Sequence, residues 1–103
     1  MNAIEIRHPY FDRVECDDAG CVVHLSERFP IRTFRLALRD DGTGYVVLRG
    51  ELGFRHEDGA VDWVRGTGET MQDAVMDALL NFVNLVVHPE SVSDCLAWRE
   101  DIP

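Results

Sequence analysis

The residues most capable of chemistry are Cys16, Cys21 and His24, spaced Cys-x4-Cys-x2-His, with Cys95 as a distant fourth. Structural zinc takes four thiolate or imidazole ligands, usually from tight pairs two to four residues apart. Here no second tight pair follows. Residues 21 and 24 of a strand also face opposite sides, so small buried or half-buried cysteines are the expectation. His8, His24, His56 and His88 are scattered, and no Gly-x-Ser-x-Gly elbow or Cys–His signature accompanies them. Asp73 and Asp77 stand one helical turn apart. That spacing could ligate a cation or serve acid–base work, but two acids on a solvated helix face are common, and among functional roles contact with arginines or lysines of a partner suits it better. Gly66-Thr67-Gly68 lacks the Gly-Lys-Ser/Thr ending of a phosphate loop, and Glu69 would repel phosphate. A turn leading into a helix explains it better. Neither a catalytic centre nor a metal or cofactor is expected.

The elements that must position these residues read as follows. Phe11–Cys16 and Cys21–Ser26 flank Asp17-Asp18-Ala19-Gly20, which predicts a hairpin within an extended N-terminal segment, residues 1–30. Phe34, Leu36 and Leu38 alternate with Arg35, Ala37 and Arg39, the period-2 pattern of a half-buried strand. Asp40-Asp41-Gly42-Thr43-Gly44 supplies a turn, a second strand spans Tyr45 to Phe54, Glu57-Asp58-Gly59 turns again, and a third strand spans Ala60 to Arg65. Short connections predict an antiparallel meander over residues 33–66. Thr70 is a good N-cap for a helix over residues 70–87, and Pro89 cannot continue it. Met71, Ala74, Val75, Ala78, Leu79, Phe82 and Val86 form one wide apolar stripe that should pack on the sheet. Asp73, Asp77 and Asn84 form a polar line, but Met76, Leu80, Val83 and Val87 sit beside it. So apolar a helix is usually covered on a second side, here either by the tail or by another chain. The tail, residues 89–100, predicts a short helix with Val92, Cys95, Leu96 and Trp98 apolar. The expected fold is α+β: a three- to five-stranded antiparallel sheet, packed by one long helix, with a short C-terminal helix.

With 103 residues, 46% apolar and 28% charged, the chain has room for a single domain with a modest core. No apolar run reaches the ~18–20 residues of a membrane span, and Met1-Asn2-Ala3-Ile4-Glu5 does not resemble a secretory signal. Three cysteines are too few, and odd in number, for a secreted disulfide scaffold. A bacterial cytoplasm with reduced thiols is expected. The formal net charge is −9, and it is unevenly spread. Residues 1–55 hold nine acids and eight arginines. Residues 56–103 hold Glu57, Asp58, Asp62, Glu69, Asp73, Asp77, Glu90, Asp94, Glu100 and Asp101 against only Arg65 and Arg99. An acidic face disfavours direct nucleic-acid binding and favours basic protein surfaces.

The stretch Phe34 to Val87 resembles the N-terminal domain of HicB-type antitoxins. The residues that carry the likeness are Asp40-Asp41-Gly42-Thr43-Gly44-Tyr45-Val46-Val47, then Gly68-Glu69-Thr70-Met71-Gln72-Asp73-Ala74, then the apolar helix. The family has a Pro-Gly-Cys-like element after the second strand, where this chain has Glu51-Leu52-Gly53-Phe54. No helix-turn-helix or ribbon-helix-helix follows, and about 30 residues precede the match. The resemblance implies a β-β-β-α layer that binds another protein, in that family a small ribonuclease toxin. In size, acidity and lack of a catalytic motif the chain also resembles small phage anti-defence proteins of the anti-CRISPR type.

These readings converge on a non-enzymatic, acidic inhibitor, encoded by a phage or mobile element, that binds a basic surface on a nucleic-acid-handling protein such as a CRISPR effector subunit. The alternatives are a HicB-like antitoxin and a homo-oligomeric or homodimeric accessory phage protein. The expected contact residues are Glu57, Asp58, Asp62, Glu69, Asp73, Met76, Asp77, Leu80, Asn84 and Trp98, with Phe54 as a further apolar anchor.

Overall fold

Alternation along the chain builds a seven-stranded antiparallel sheet with one main helix against its inner face. A computed structural model describes residues 2–39 and 42–99. The strands are β1 (Asn2–Ile4), β2 (Phe11–Asp17), β3 (Gly20–Leu25), β4 (Thr33–Arg39), β5 (Val46–Arg55), β6 (Val61–Gly68) and β7 (Leu96–Trp98), with helix α1 (Met71–Leu85) before β7. The first six neighbour one another in chain order, and β7 pairs with β5. The expected hairpin and meander are present, but the sheet has more strands than the three to five expected. Asp40, Asp41, Glu100 and Asp101, counted among the acids above, lie outside the described residues.

The extra strands have a physical origin. β4 pairs with β5 only at Leu36↔Gly50 through Arg39↔Val47, whereas its beginning pairs with β3. The later half of β5 is thereby left with an open edge, and β7 fills it through Leu52↔Trp98, Gly53↔Ala97 and Phe54↔Leu96. The Arg55 N–H donates to Cys95 O and the Arg99 N–H to Glu51 O, both at 2.7 Å, which extends the ladder. The expected C-terminal helix is therefore a 3₁₀ turn, Pro89–Asp94, followed by a strand. β1, also three residues long, pairs with β2 on the far edge.

Helix α1 begins where expected. Thr70 is extended at φ −125°, and its side chain accepts from the Asp73 N–H at 3.1 Å. The helix ends at Leu85, two residues before the expected end, because Val86 and His88 are already extended. The residue before a proline is pushed out of helical conformation, and Pro89 follows His88.

The buried stripe of α1 is the expected one: Ala74, Val75, Ala78, Leu79 and Phe82. Phe82 is fully buried at the centre of four rings, those of Phe11, Phe29, Phe34 and Phe54, with centroids 5.2 to 5.7 Å away. Close approach to β6 depends on small residues. A Cβ on Gly66 would stand 2.1 Å from Ala74 O and 2.5 Å from Ala78 N, so any other side chain there would hold the helix off the sheet. Because β6 is an edge strand, its outward N–H groups need partners. The helix provides them: Asn81 Oδ1 accepts from the Arg65 N–H at 3.0 Å and Asp77 Oδ2 from the Thr67 N–H at 2.9 Å. These two bonds also show that α1 runs antiparallel to β6.

Candidate functional face

The helix turns its buried stripe inward, so residues about half a turn round the wheel must face solvent. Met76, Leu80 and Val87 are 46%, 59% and 80% exposed. The tail does not cover them. It crosses to β5 and buries Val92 and Ala97 there, while Cys95 and Leu96 pack at the margin of the core. Of the two covers considered for this flank, the tail is thus ruled out among the described residues. The result is an open apolar ridge of Met76 and Leu80 along α1, with Val83 half-buried beside it and Val87 exposed just past the helix end.

Acids border the ridge. Glu69, Asp73 and Asp77 are exposed, as is the neutral amide of Asn84. Glu69 and Asp73 lie at the start of the helix. Glu57, Asp58 and Asp62 cluster at the β5–β6 turn. Since α1 runs back along β6, that turn lies toward the opposite end of the ridge, on the order of 20 Å from Glu69 by the length of β6. Several of these carboxylates already have local partners. Asp58 Oδ1 accepts from the Ala60 N–H at 2.9 Å, closing the turn. Asp62 pairs with His56 at 2.5 Å and raises the imidazole pKa above its ordinary value, chiefly through this hydrogen bond. Asp77 is committed to the β6 edge as described above.

Two expected contact residues do not belong to this face. Phe54 is 4% exposed and lies tilted against Phe82: it shares the inner face with Leu48 and Leu52, so the alternation that marks its strand also buries it. Trp98 is 45% exposed, but its strand lies on the side of β5 away from β6, two strands from the helix edge and on the order of 10 Å distant.

The outer side of the sheet gathers arginines from several strands. On the outer side of the sheet, Arg49 stands directly between Ala37 and Arg65, and Arg39, Val47 and Thr67 form the next row. Arg35 pairs with Glu51 at 2.8 Å, and the Arg99 guanidinium lies 4.2 Å from the Trp63 ring centroid. Arg39, Arg49, Arg65, Arg99, Val47, Thr67 and Asp77 line an open depression of about 650 Å³. The meander brings arginines from both halves of the chain together here, which a count by halves does not reveal.

The potential metal ligands are also divided between faces. Cys16 and Cys21 point into the core, whereas His24 pairs with Glu15 at 3.2 Å among partly exposed groups. Glu15 has its carboxyl pKa lowered, first by a hydrogen bond from Arg13. Among the described residues no three His, Cys, Asp or Glu side chains are grouped to hold a metal ion, and no helix is long and apolar enough to cross a membrane.

No protein-family model, curated protein or solved structure matches this chain.

Proposed function

We propose that the chain is a non-enzymatic binding domain that docks the outer face of α1 onto a basic surface of another protein. The observation that carries this reading is the ridge of Met76 and Leu80, exposed one helical turn apart and flanked by Glu69, Asp73 and Asn84, with Val87 exposed just past the helix end. Apolar side chains in such a ridge give affinity once water is excluded. The carboxylates around them steer a cationic partner and discriminate against an acidic one. Basic protein surfaces commonly serve to hold phosphate, so a nucleic-acid-handling protein is the partner class that fits this chemistry. An inhibitor from a phage or mobile element, covering such a surface on a CRISPR effector subunit, is the role that fits best.

A second reading is favoured by the arginines gathered on the outer side of the sheet. The acidic helix face and the arginine-lined depression are complementary, so copies of the chain could associate head to tail. Sedimentation across micromolar concentrations separates the two: a salt-sensitive rise in mass supports self-association, and a constant monomer removes it. The docking reading is tested by binding to host-lysate proteins with Met76→Ser/Leu80→Ser and Glu69→Gln/Asp73→Asn variants beside the wild type. A specific partner must be lost with the first pair and become less salt-sensitive with the second.

A further inference from the structure

Cys16 and Cys21 take no part in the docking face. They sit on either side of the β2–β3 turn and are directly opposed in register. Both point into the core, 5% and 4% exposed. Directly opposed residues of an antiparallel pair have Cα atoms about 4.5–5.5 Å apart, within the roughly 4.4–6.8 Å that a disulfide spans. The two Sγ atoms stand 2.6 Å apart. Two thiolates sharing a tetrahedral ion, with metal–sulfur bonds near 2.3 Å, would stand about 3.8 Å apart, so the pair is too close to share a metal. It is about half an ångström from the ~2.05 Å of a covalent sulfur–sulfur bond. Among the described residues, Met71 Sδ also lies nearby, 3.8 Å from Cys21 Sγ. Burial, and then Cys16 itself, push the Cys21 thiol well above its ordinary pKa, which keeps it from acting as a nucleophile once the core has closed.

We infer that Cys16 and Cys21 are a modification site: a pair that forms a cross-strand disulfide, closing the β2–β3 hairpin, when the chain folds in the presence of a small-molecule disulfide such as glutathione disulfide. The thiolate of one cysteine attacks a glutathione sulfur, releasing one glutathione thiolate and leaving a mixed disulfide on the protein. The second cysteine's thiolate attacks the protein-bound sulfur and releases the other glutathione. Two protein thiols are oxidised, one glutathione disulfide is reduced, and the two thiol protons end on the released glutathiones. Neither strand has to shift register. Cys95 is outside the pair: its Sγ lies 3.2 Å from Val92 O in the 3₁₀ turn and stays a thiol. Free thiols remain the expected state in a reducing compartment, so the chain has two covalent forms set by its surroundings.

The test refolds the wild-type chain from denaturant in reduced and in oxidised glutathione buffers, alkylates the remaining thiols and digests with trypsin. Cleavage after Arg13 and Arg28 leaves both cysteines in one peptide, residues 14–28, with Cys95 in another. After oxidised refolding, peptide 14–28 should be two hydrogen masses lighter and carry no alkyl group, while the Cys95 peptide carries one. The oxidised chain should also melt higher than the reduced chain, by about 4 °C or more. Two alkyl groups on peptide 14–28 after oxidised refolding, or glutathione retained on it, would overturn the inference. So would a lower melting midpoint, which would mean that the bond strains the hairpin. Cys95→Ser, run in parallel, prevents intermolecular pairing without touching the pair.

Discussion

Leu80 and Phe82 are two residues apart on one helix, and the structure assigns them opposite fates. Replacing Phe82 by alanine removes a fully buried ring with four aromatic neighbours. Lost transfer energy plus the cavity should cost about 3–5 kcal/mol. A domain of this size has ~5–15 kcal/mol of stability in all, so the variant should be close to unfolding, with its melting midpoint lowered by on the order of 15–30 °C. Replacing Leu80 by alanine removes a side chain already 59% exposed. A fully buried leucine is worth ~1.5–3 kcal/mol, and less than half of that burial is present, so the cost should stay under about 1 kcal/mol. Urea unfolding of both variants at low micromolar concentration, followed by circular dichroism, gives the comparison. Equal costs would refute the assignment of faces. A cost for Leu80→Ala that grows with protein concentration would show that a second copy covers the ridge.

Other consequences follow from the same contacts. Asp77→Ala removes the acceptor for the Thr67 N–H and should cost about 1–2 kcal/mol, while Asp77→Asn, which keeps an oxygen there, should recover most of it; equal losses on thermal melting would mean that charge rather than the hydrogen bond matters. Gly66→Val should prevent α1 from closing on β6 and leave a species without a cooperative melt, because the blocking atoms are backbone. The imidazole of His56 has its folded-state pKa raised by Asp62. Its contribution to stability is therefore fully present below the unfolded-state value near 6.5 and is lost as pH rises through the higher folded value. A slight fall in melting midpoint across neutral pH should disappear in Asp62→Asn. Thr70→Ala should cost about 0.5–2 kcal/mol through loss of the N-cap, read from denaturant midpoints.

The parts of the fold legible in sequence are those with enough length for periodicity to register. β4, β5 and β6 run for seven or more residues, and α1 carries both a cap and a stripe. β1 and β7 have three residues each, too few for a period of two to stand out, and β7 exists because β4 leaves the edge of β5, a tertiary event. The apolar ridge is readable because helical spacing alone separates Met76 and Leu80 from the buried stripe, whereas Val87, expected on the same flank, lies past the helix end. Phe54 was assigned to the surface against the phase of its own strand. Asp77 looked like a free surface acid because nothing local reveals that an edge-strand N–H lies beneath it. Counting charge by halves does not reveal the arginine-lined depression for a related reason: in a meander, residues distant in sequence become row neighbours, as Arg49 and Arg65 do.

The most direct test of the docking face is quantitative recovery of host proteins on immobilised wild type, Met76→Ser/Leu80→Ser and Arg39→Gln/Arg65→Gln, with all three confirmed folded. The account predicts one basic protein retained by the wild type and the arginine variant, released by salt, and absent from the ridge variant. Equal retention by the ridge variant, or loss with the arginine variant alone, would contradict it and move the binding surface to the outer face of the sheet.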